Sequence, residues 1–174
     1  MRFVEFLRAT VLLSAGAATT LAVVTLAAAT RNQDDKIAFY AMAWWVAATL
    51  VGTLVGRRNE VNPPIARLLA DAKAATMMPE VRPGATLLNR LWPLIVSVVT
   101  AGVLAIIAPQ IPGIATGFAI IWALAWRRQE SAVQAIEERD GVSFFVDRTS
   151  PMRPMRLLRL PGFRRERPMA GSGV

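Results

Sequence analysis

Four long apolar stretches, separated by clusters of charge, dominate this chain. They cover residues 9–30, 37–56, 91–108 and 111–126, and Tyr40 carries the only ionisable group within them. Crossing a hydrocarbon core roughly 30 Å thick takes about 20 apolar residues of α-helix. The first three stretches meet this length and the fourth nearly does. The sequence therefore predicts an all-α integral membrane protein with four transmembrane helices.

The composition agrees with this fold class and narrows the chemistry. Hydrophobic residues make up 54% of the chain and charged residues only 18%, too few to cover a soluble domain of this size. Cysteine and histidine are both absent. Disulfides, thiol nucleophiles, Cys/His zinc sites and imidazole-ligated haem are therefore excluded. We expect no enzyme, no cofactor and no metal site.

The first and last spans set the domain boundaries. The small residues at 27–29 are compatible with a signal-peptide cleavage site, but the apolar core is longer than the roughly 7–15 residues of such a signal. An uncleaved helix is the favoured interpretation.

The last span is expected to continue as helix to about residue 139, with Gly141 as its stop. The prediction is a bundle over 1–139, followed by a cytoplasmic basic tail over 140–174.

The 57–90 loop contains one further helix signal. Asn62 is a typical helix cap, and prolines such as Pro63 and Pro64 are tolerated in a first helical turn. Apolar residues then recur at helical spacing. The pattern predicts a short interfacial helix, lying flat on the membrane with its apolar side towards lipid. A connecting helix packed under the bundle is the alternative. The recurring residues are Ile65, Leu68, Leu69 and Ala72.

The distribution of basic residues predicts the orientation. All but two of the 20 Lys and Arg residues lie in the amino-terminal lead, the 57–90 loop and the segment from Arg127 onwards. Lys and Arg are retained on the cytoplasmic side during insertion. These three segments share one side only if the chain has four spans with both termini inside. Trp92, Trp122 and Trp126 lie where an inner aromatic belt belongs. The arginine- and alanine-rich composition favours a bacterial cytoplasmic membrane.

Small residues spaced by four form the first candidate set. Such spacing allows two helix backbones to approach closely, where van der Waals contact drives association in lipid. Packing within the bundle is the favoured interpretation, and a homo-oligomer interface is the alternative. The set comprises Ala48, Gly52 and Gly56 in the second span and Gly113 and Gly117 in the fourth.

The tail forms the second candidate set. Residues 142–146 alternate like a strand, whereas the prolines at 151, 154 and 161 exclude a continuous helix, so most of the tail is expected to be irregular. Its arginines would contact anionic lipid headgroups, with the interleaved apolar residues dipping into the interface. Alternatively, a partner protein takes the apolar run as an added strand or peptide. Nucleic acid is not expected, because aromatics are scarce. The arginines are Arg148, Arg153, Arg156, Arg159, Arg164, Arg165 and Arg167.

These features favour a small non-catalytic membrane protein that acts as an anchor, scaffold or accessory subunit, alone, as a homo-oligomer or within a larger membrane complex. Coupled transport usually needs an ionisable side chain inside the membrane, and only Tyr40 is present. A homo-oligomeric channel or transporter for an uncharged solute is the alternative. An enzyme acting on lipid precursors is less favoured. Dense acids such as Glu137, Glu138 and Asp140 show no paired catalytic spacing.

Overall fold

The computed structural model describes residues 1–33, 35–57, 61–75, 83–147 and 154–161. Of these residues, 76% are helical, so the predicted all-α class is supported. The helices are α1 (Phe3–Arg31), α2 (Asp35–Val55), α3 (Pro63–Ala70), α4 (Pro83–Leu104), α5 (Gln110–Trp126) and α6 (Gln129–Asp140). The strands are β1 (Lys73–Ala74), β2 (Val142–Val146) and β3 (Leu157–Pro161).

Three of the described helices are long and apolar enough to cross a membrane: α1, α2 and the part of α4 from Gly84 to Leu104. Helix α5 has 17 residues, which corresponds to about 25 Å at 1.5 Å per residue. It is therefore shorter than the other three. These lengths are compatible with a membrane protein.

The four long helices alternate in direction. The guanidinium of Arg128 donates a hydrogen bond to the carbonyl of Arg57 (3.1 Å), so the end of α2 lies beside the end of α5. At the opposite end of the bundle, Arg31 of α1 and Ile106 after α4 line a common crevice. Helices α1 and α4 therefore run one way and α2 and α5 the other. Helix α5 packs along both α1 and α2.

Hydroxyl side chains within the long helices bond to carbonyls of their own helix, as their placement in apolar spans predicts. These bonds satisfy the hydroxyl groups without a partner on another helix. Examples are Ser14 to Thr10 (2.8 Å), Thr25 to Leu21 (2.7 Å), Thr49 to Trp45 (2.8 Å) and Thr116 to Pro112 (2.8 Å).

Two tryptophans of α2 dock against the first turns of α5. The indole N–H of Trp45 donates to the carbonyl of Gly113 (2.8 Å), and that of Trp44 donates to the carbonyl of Ile114 (3.2 Å). The ring of Trp44 fills the space over Gly117, where an added Cβ would overlap the indole. Glycine at 117 thus allows a large side chain to lie directly on the α5 backbone.

Gly52 of α2 and Gly56, which follows α2, allow the same close approach further along the bundle. A Cβ on Gly52 would lie 2.9 Å from the Cβ of Leu124, and one on Gly56 would overlap the Leu124 carbonyl. On the other side of α5, a Cβ on Gly113 would lie 3.2 Å from the methyl of Thr25 in α1. The predicted packing residues Ala48, Gly52, Gly56, Gly113 and Gly117 are all buried.

The end of the bundle that holds the start of α1 carries a compact apolar core, here called the cap. It combines the first turns of α1 with side chains from α3, α4, α6 and the sheet, whereas the helix middles leave residues such as Leu12 and Val46 more than half exposed. The fold therefore joins a lipid-compatible bundle to a cap with a protein interior. The cap core comprises Phe3, Val4, Phe6, Leu7, Ile65, Leu91, Val133, Phe144, Val146 and Leu157.

The expectation of a largely irregular tail is wrong for residues 157–161. Strand β3 lies between β1 and β2, antiparallel to β2 with Val146 opposite Leu157, and parallel to β1 with Lys73 opposite Leu158. The prolines of the tail exclude a helix but leave these residues free to extend. One pairing partner, β1, lies far away in the sequence, and prolines at 151 and 154 interrupt the pattern between β2 and β3, so the local sequence does not reveal the strand.

Two local predictions also need correction. The apolar side of α3 packs on protein, with Ile65 only 1% exposed, which matches the alternative of a packed connecting helix. Asn62 precedes α3 but makes no side-chain capping bond. Helix α4 begins at Pro83, and Pro93 lies inside it. A proline there removes one backbone hydrogen bond of the helix.

The contact between α2 and α5 can be tested with one added methyl group. We expect Gly117→Ala to lower the free energy of unfolding by about 1–3 kcal/mol, because the methyl group displaces Trp44 from its contact. Unfolding in mixed detergent micelles, followed by tryptophan fluorescence, measures the loss. Gly16→Ala is the matched control, because a Cβ at Gly16 meets nothing within 4 Å. Equal destabilisation by both substitutions would contradict this packing.

Candidate functional site

The cap joins distant parts of the chain through main-chain contacts. The amide of Val146 in β2 donates to the carbonyl of Met1 (3.1 Å), and Arg2 forms an antiparallel bridge with Phe145. The carboxylate of Glu5 accepts a hydrogen bond from the Arg2 amide (3.2 Å), which starts α1 at this point. The beginning of α1 thus forms part of the edge of the sheet.

A buried carboxylate holds this junction together. The side chain of Glu137 in α6 is only 3% exposed and pairs with the guanidinium of Arg2 at 2.6 Å. Its other oxygen accepts a hydrogen bond from the amide of Phe144 (2.8 Å). Both carboxylate oxygens therefore have donors, which a buried charge requires. One side chain connects α1, α6 and β2.

Gln129 is the second buried polar group on α6, with 2% of its surface exposed. Its side-chain oxygen accepts a hydrogen bond from the amide of Asn62 (2.9 Å), ahead of α3. Gln129, Val133 and Glu137 recur every four residues and so share one face of the helix. This face was not predicted from the sequence. The four-residue spacing is the sequence signal for this face, because it places one apolar and two polar residues on the buried side of α6.

Each long helix carries an arginine near its cap end, and these four are here called the arginine collar. Arg8 lies on α1, Arg57 follows α2, Arg90 lies on α4 and Arg127 follows α5. Arg90 is half-buried and the other three are exposed. The collar marks the level at which apolar helix surface gives way to the charged cap. Long arginine side chains at such a level can reach phosphate groups while their stems contact apolar surface.

Tryptophans lie near the same level. Trp92 and Trp122 are 43% and 49% exposed, and Trp122 stacks on Trp126 with ring centroids 5.2 Å apart. Trp126 also packs against the cap core. Amphipathic indole rings are typical of the membrane–water interface.

Of the predicted tail arginines, the structure describes Arg156 and Arg159, and both are exposed. The neighbouring Leu157 and Leu160 are 2% and 8% exposed, so they pack into protein and not into lipid. The apolar residues of the described tail thus build the cap, and its arginines face outwards. The remaining predicted contacts, Arg148, Arg153, Arg164, Arg165 and Arg167, lie outside the described residues.

The acids at the end of α6 are engaged in local contacts. Arg139 pairs with Asp140 at 2.8 Å, and this hydrogen bond lowers the pKa of Asp140 and raises that of Arg139. Glu138 accepts a hydrogen bond from Gln134 (3.0 Å). Within the described ranges, no three Asp or Glu side chains come together as metal ligands. Local hydrogen bonds and ion pairs therefore account for these acids.

Removing the Glu137 carboxylate tests the junction. We expect Glu137→Ala to destabilise the cap by about 2–4 kcal/mol, because the Phe144 amide loses its acceptor and Arg2 its partner. Hydrogen exchange of the amides at 142–146 should accelerate. The exposed neighbour provides the control, since Glu138→Ala should change stability by less than about 0.5 kcal/mol. Unchanged protection of β2 in Glu137→Ala would show that the carboxylate does not hold the junction.

Comparison of the chain with protein-family models, with curated proteins and with solved structures finds no match, so its function has to be argued from its own residues.

Proposed function

We propose that this chain is a small non-catalytic integral membrane protein with four spans and both termini in the cytoplasm. It acts as an anchor, scaffold or accessory subunit in a cell membrane, that of a bacterium by composition. The cap is its working surface, and contacts anionic lipid headgroups or a partner protein through the arginine collar and the tail arginines.

The contact between the start of α1 and the segment that follows α5 carries this proposal. Met1 and Val146 share a backbone hydrogen bond, and Arg2 pairs with Glu137. Residues in direct contact lie on the same side of a membrane, so the number of crossings between them is even. If only α1, α2 and α4 crossed the membrane, the chain would cross three times between Met1 and Val146, and the two residues would lie on opposite sides. Helix α5 is then the fourth span, and its 17 residues lie at the lower end of the range of about 17–25.

The charge distribution supports the cytoplasmic assignment of the cap. The described basic residues at the opposite end are Arg31 and Lys36, beside the acidic Asp35. The other described Lys and Arg residues belong to the cap and the collar. Insertion retains such residues in the cytoplasm.

The hydroxyl bonds within the helices favour an anchor over a channel. A path for polar solutes needs side-chain donors and acceptors that face it. Ser14, Thr25 and Thr116 are buried and bond to carbonyls of their own helices. The space between α2 and α5 is occupied by close contacts between glycine and large side chains, such as Trp44 on Gly117.

Cysteine labelling tests the topology. The chain has no cysteine, so a single introduced thiol gives an unambiguous signal. In intact cells, a membrane-impermeant maleimide should label Asn32→Cys and spare Glu138→Cys, both at exposed positions. Permeabilised cells provide the control, in which both thiols should react. Labelling of both positions in intact cells would place them outside together and contradict four spans with an internal cap.

Photo-crosslinking in native membranes tests the role of the cap. A photoreactive amino acid at the exposed position of Arg156 should form adducts with lipid or with a partner protein. The same group at Asn32, exposed at the opposite end, is the control and should form few. Adducts confined to the Asn32 variant would show that the cap is not the contact surface.

A further inference from the structure

Helix α4 is loosely packed against the rest of the bundle. Of its side chains that the structure describes, only Leu91 and Ala101 are buried. Between the levels of these two residues, a crevice of about 330 Å³ opens between α4, α1 and α5, lined by Leu21 of α1, Leu94 of α4 and Phe118 of α5 among others. Its volume lies within the range of about 300–1,000 Å³ for small-molecule sites.

The crevice is shaped for an apolar chain. Along α5 it extends from Ala115 to Trp122, about 10 Å at 1.5 Å per residue. This is about a third of a hydrocarbon core roughly 30 Å thick, so it fits within one leaflet. Apolar side chains that face an empty gap lose their dispersion contacts. In a bilayer, an acyl chain is the neighbour that restores them.

The guanidinium-bearing residue Arg90 lies one helical turn from the crevice, on the side nearer the cap. Arg90 precedes Leu94 by four residues and so lies on the same face of α4, about 6 Å nearer the cap. It is half-buried. On the facing helix, Trp122 borders the crevice and stacks on Trp126. An acyl chain in the crevice therefore has its phosphate end beside a guanidinium and an indole pair.

We propose that this crevice and Arg90 form a binding site for one anionic membrane phospholipid, with an acyl chain between α4 and α5 and the phosphate on the guanidinium. The planar guanidinium donates two parallel hydrogen bonds to phosphate oxygens, which suits a phospholipid better than an uncharged lipid. The site rests on the proposed function, because it requires these helices to span the bilayer. It adds a defined lipid position to the general attraction of the cap for anionic headgroups.

Native mass spectrometry of the purified full chain, titrated with phosphatidylglycerol or phosphatidylcholine, tests the site. The unmodified chain should retain one phosphatidylglycerol in preference to phosphatidylcholine. Arg90→Gln should weaken phosphatidylglycerol binding about tenfold, because a charge-assisted hydrogen bond is lost. Ala115→Leu, which fills the crevice from α5, should abolish retention of both lipids. Arg90→Lys keeps the charge and should lie between Arg90→Gln and the unmodified chain.

Lys36→Gln is the control, because it removes one positive charge at an exposed position at the opposite end of the bundle, outside both the collar and the crevice. It should leave phosphatidylglycerol binding unchanged. Equal losses for Lys36→Gln and Arg90→Gln would indicate unspecific attraction and overturn the site. The site would also be overturned if Ala115→Leu retained lipid, or if a second copy of the chain were bound in place of lipid. Cysteine labelling at 32 and 138 reports the spans independently, so a failed site is distinguishable from a wrong topology.

Discussion

The cap depends on one buried carboxylate. A charged group in a protein interior is stable only when its hydrogen-bonding capacity is met, and Glu137 meets this condition through Arg2 and the Phe144 amide. The same contact positions the first turn of α1, on which Phe3, Phe6 and Leu7 enter the cap core. Without it, the start of α1 would be an exposed apolar helix end and β2 would lose an anchor.

Two kinds of packing meet along α1. In the bundle, helices approach through small residues. Lipid gives no hydrophobic driving force for helix association, so van der Waals contact between closely spaced backbones has to stabilise it. In the cap, water drives large apolar side chains together. The 29 residues of α1 span about 43 Å, more than a bilayer core needs, because its first turns belong to the cap. Arg8 stands between the two regions.

The sequence predicted the helices well and the cap poorly. Hydropathy reveals a helix in lipid because every backbone group is satisfied within the segment, so the signal is local. Strand β3 escaped prediction because its partner β1 lies far away in the chain and because Pro151 and Pro154 separate it from β2. Helix α4 starts earlier than its apolar stretch, since residues 83–90 are too polar for a span but still helical. The roles of Trp44 and Trp45 as interhelical donors also depend on a neighbour that the local pattern does not show.

The pairing of Arg2 with Glu137 joins residues 135 positions apart. During synthesis the first helix therefore reaches the membrane long before its partner in α6 exists. Contacts between residues this far apart in the sequence form late, because the chain first has to lose the entropy of closing the loop between them. Until then Phe3 and Phe6 lack the cap residues that cover them. Closure of the junction thus reports that translation has passed β2, and a polypeptide interrupted earlier keeps an apolar patch open to quality-control proteases.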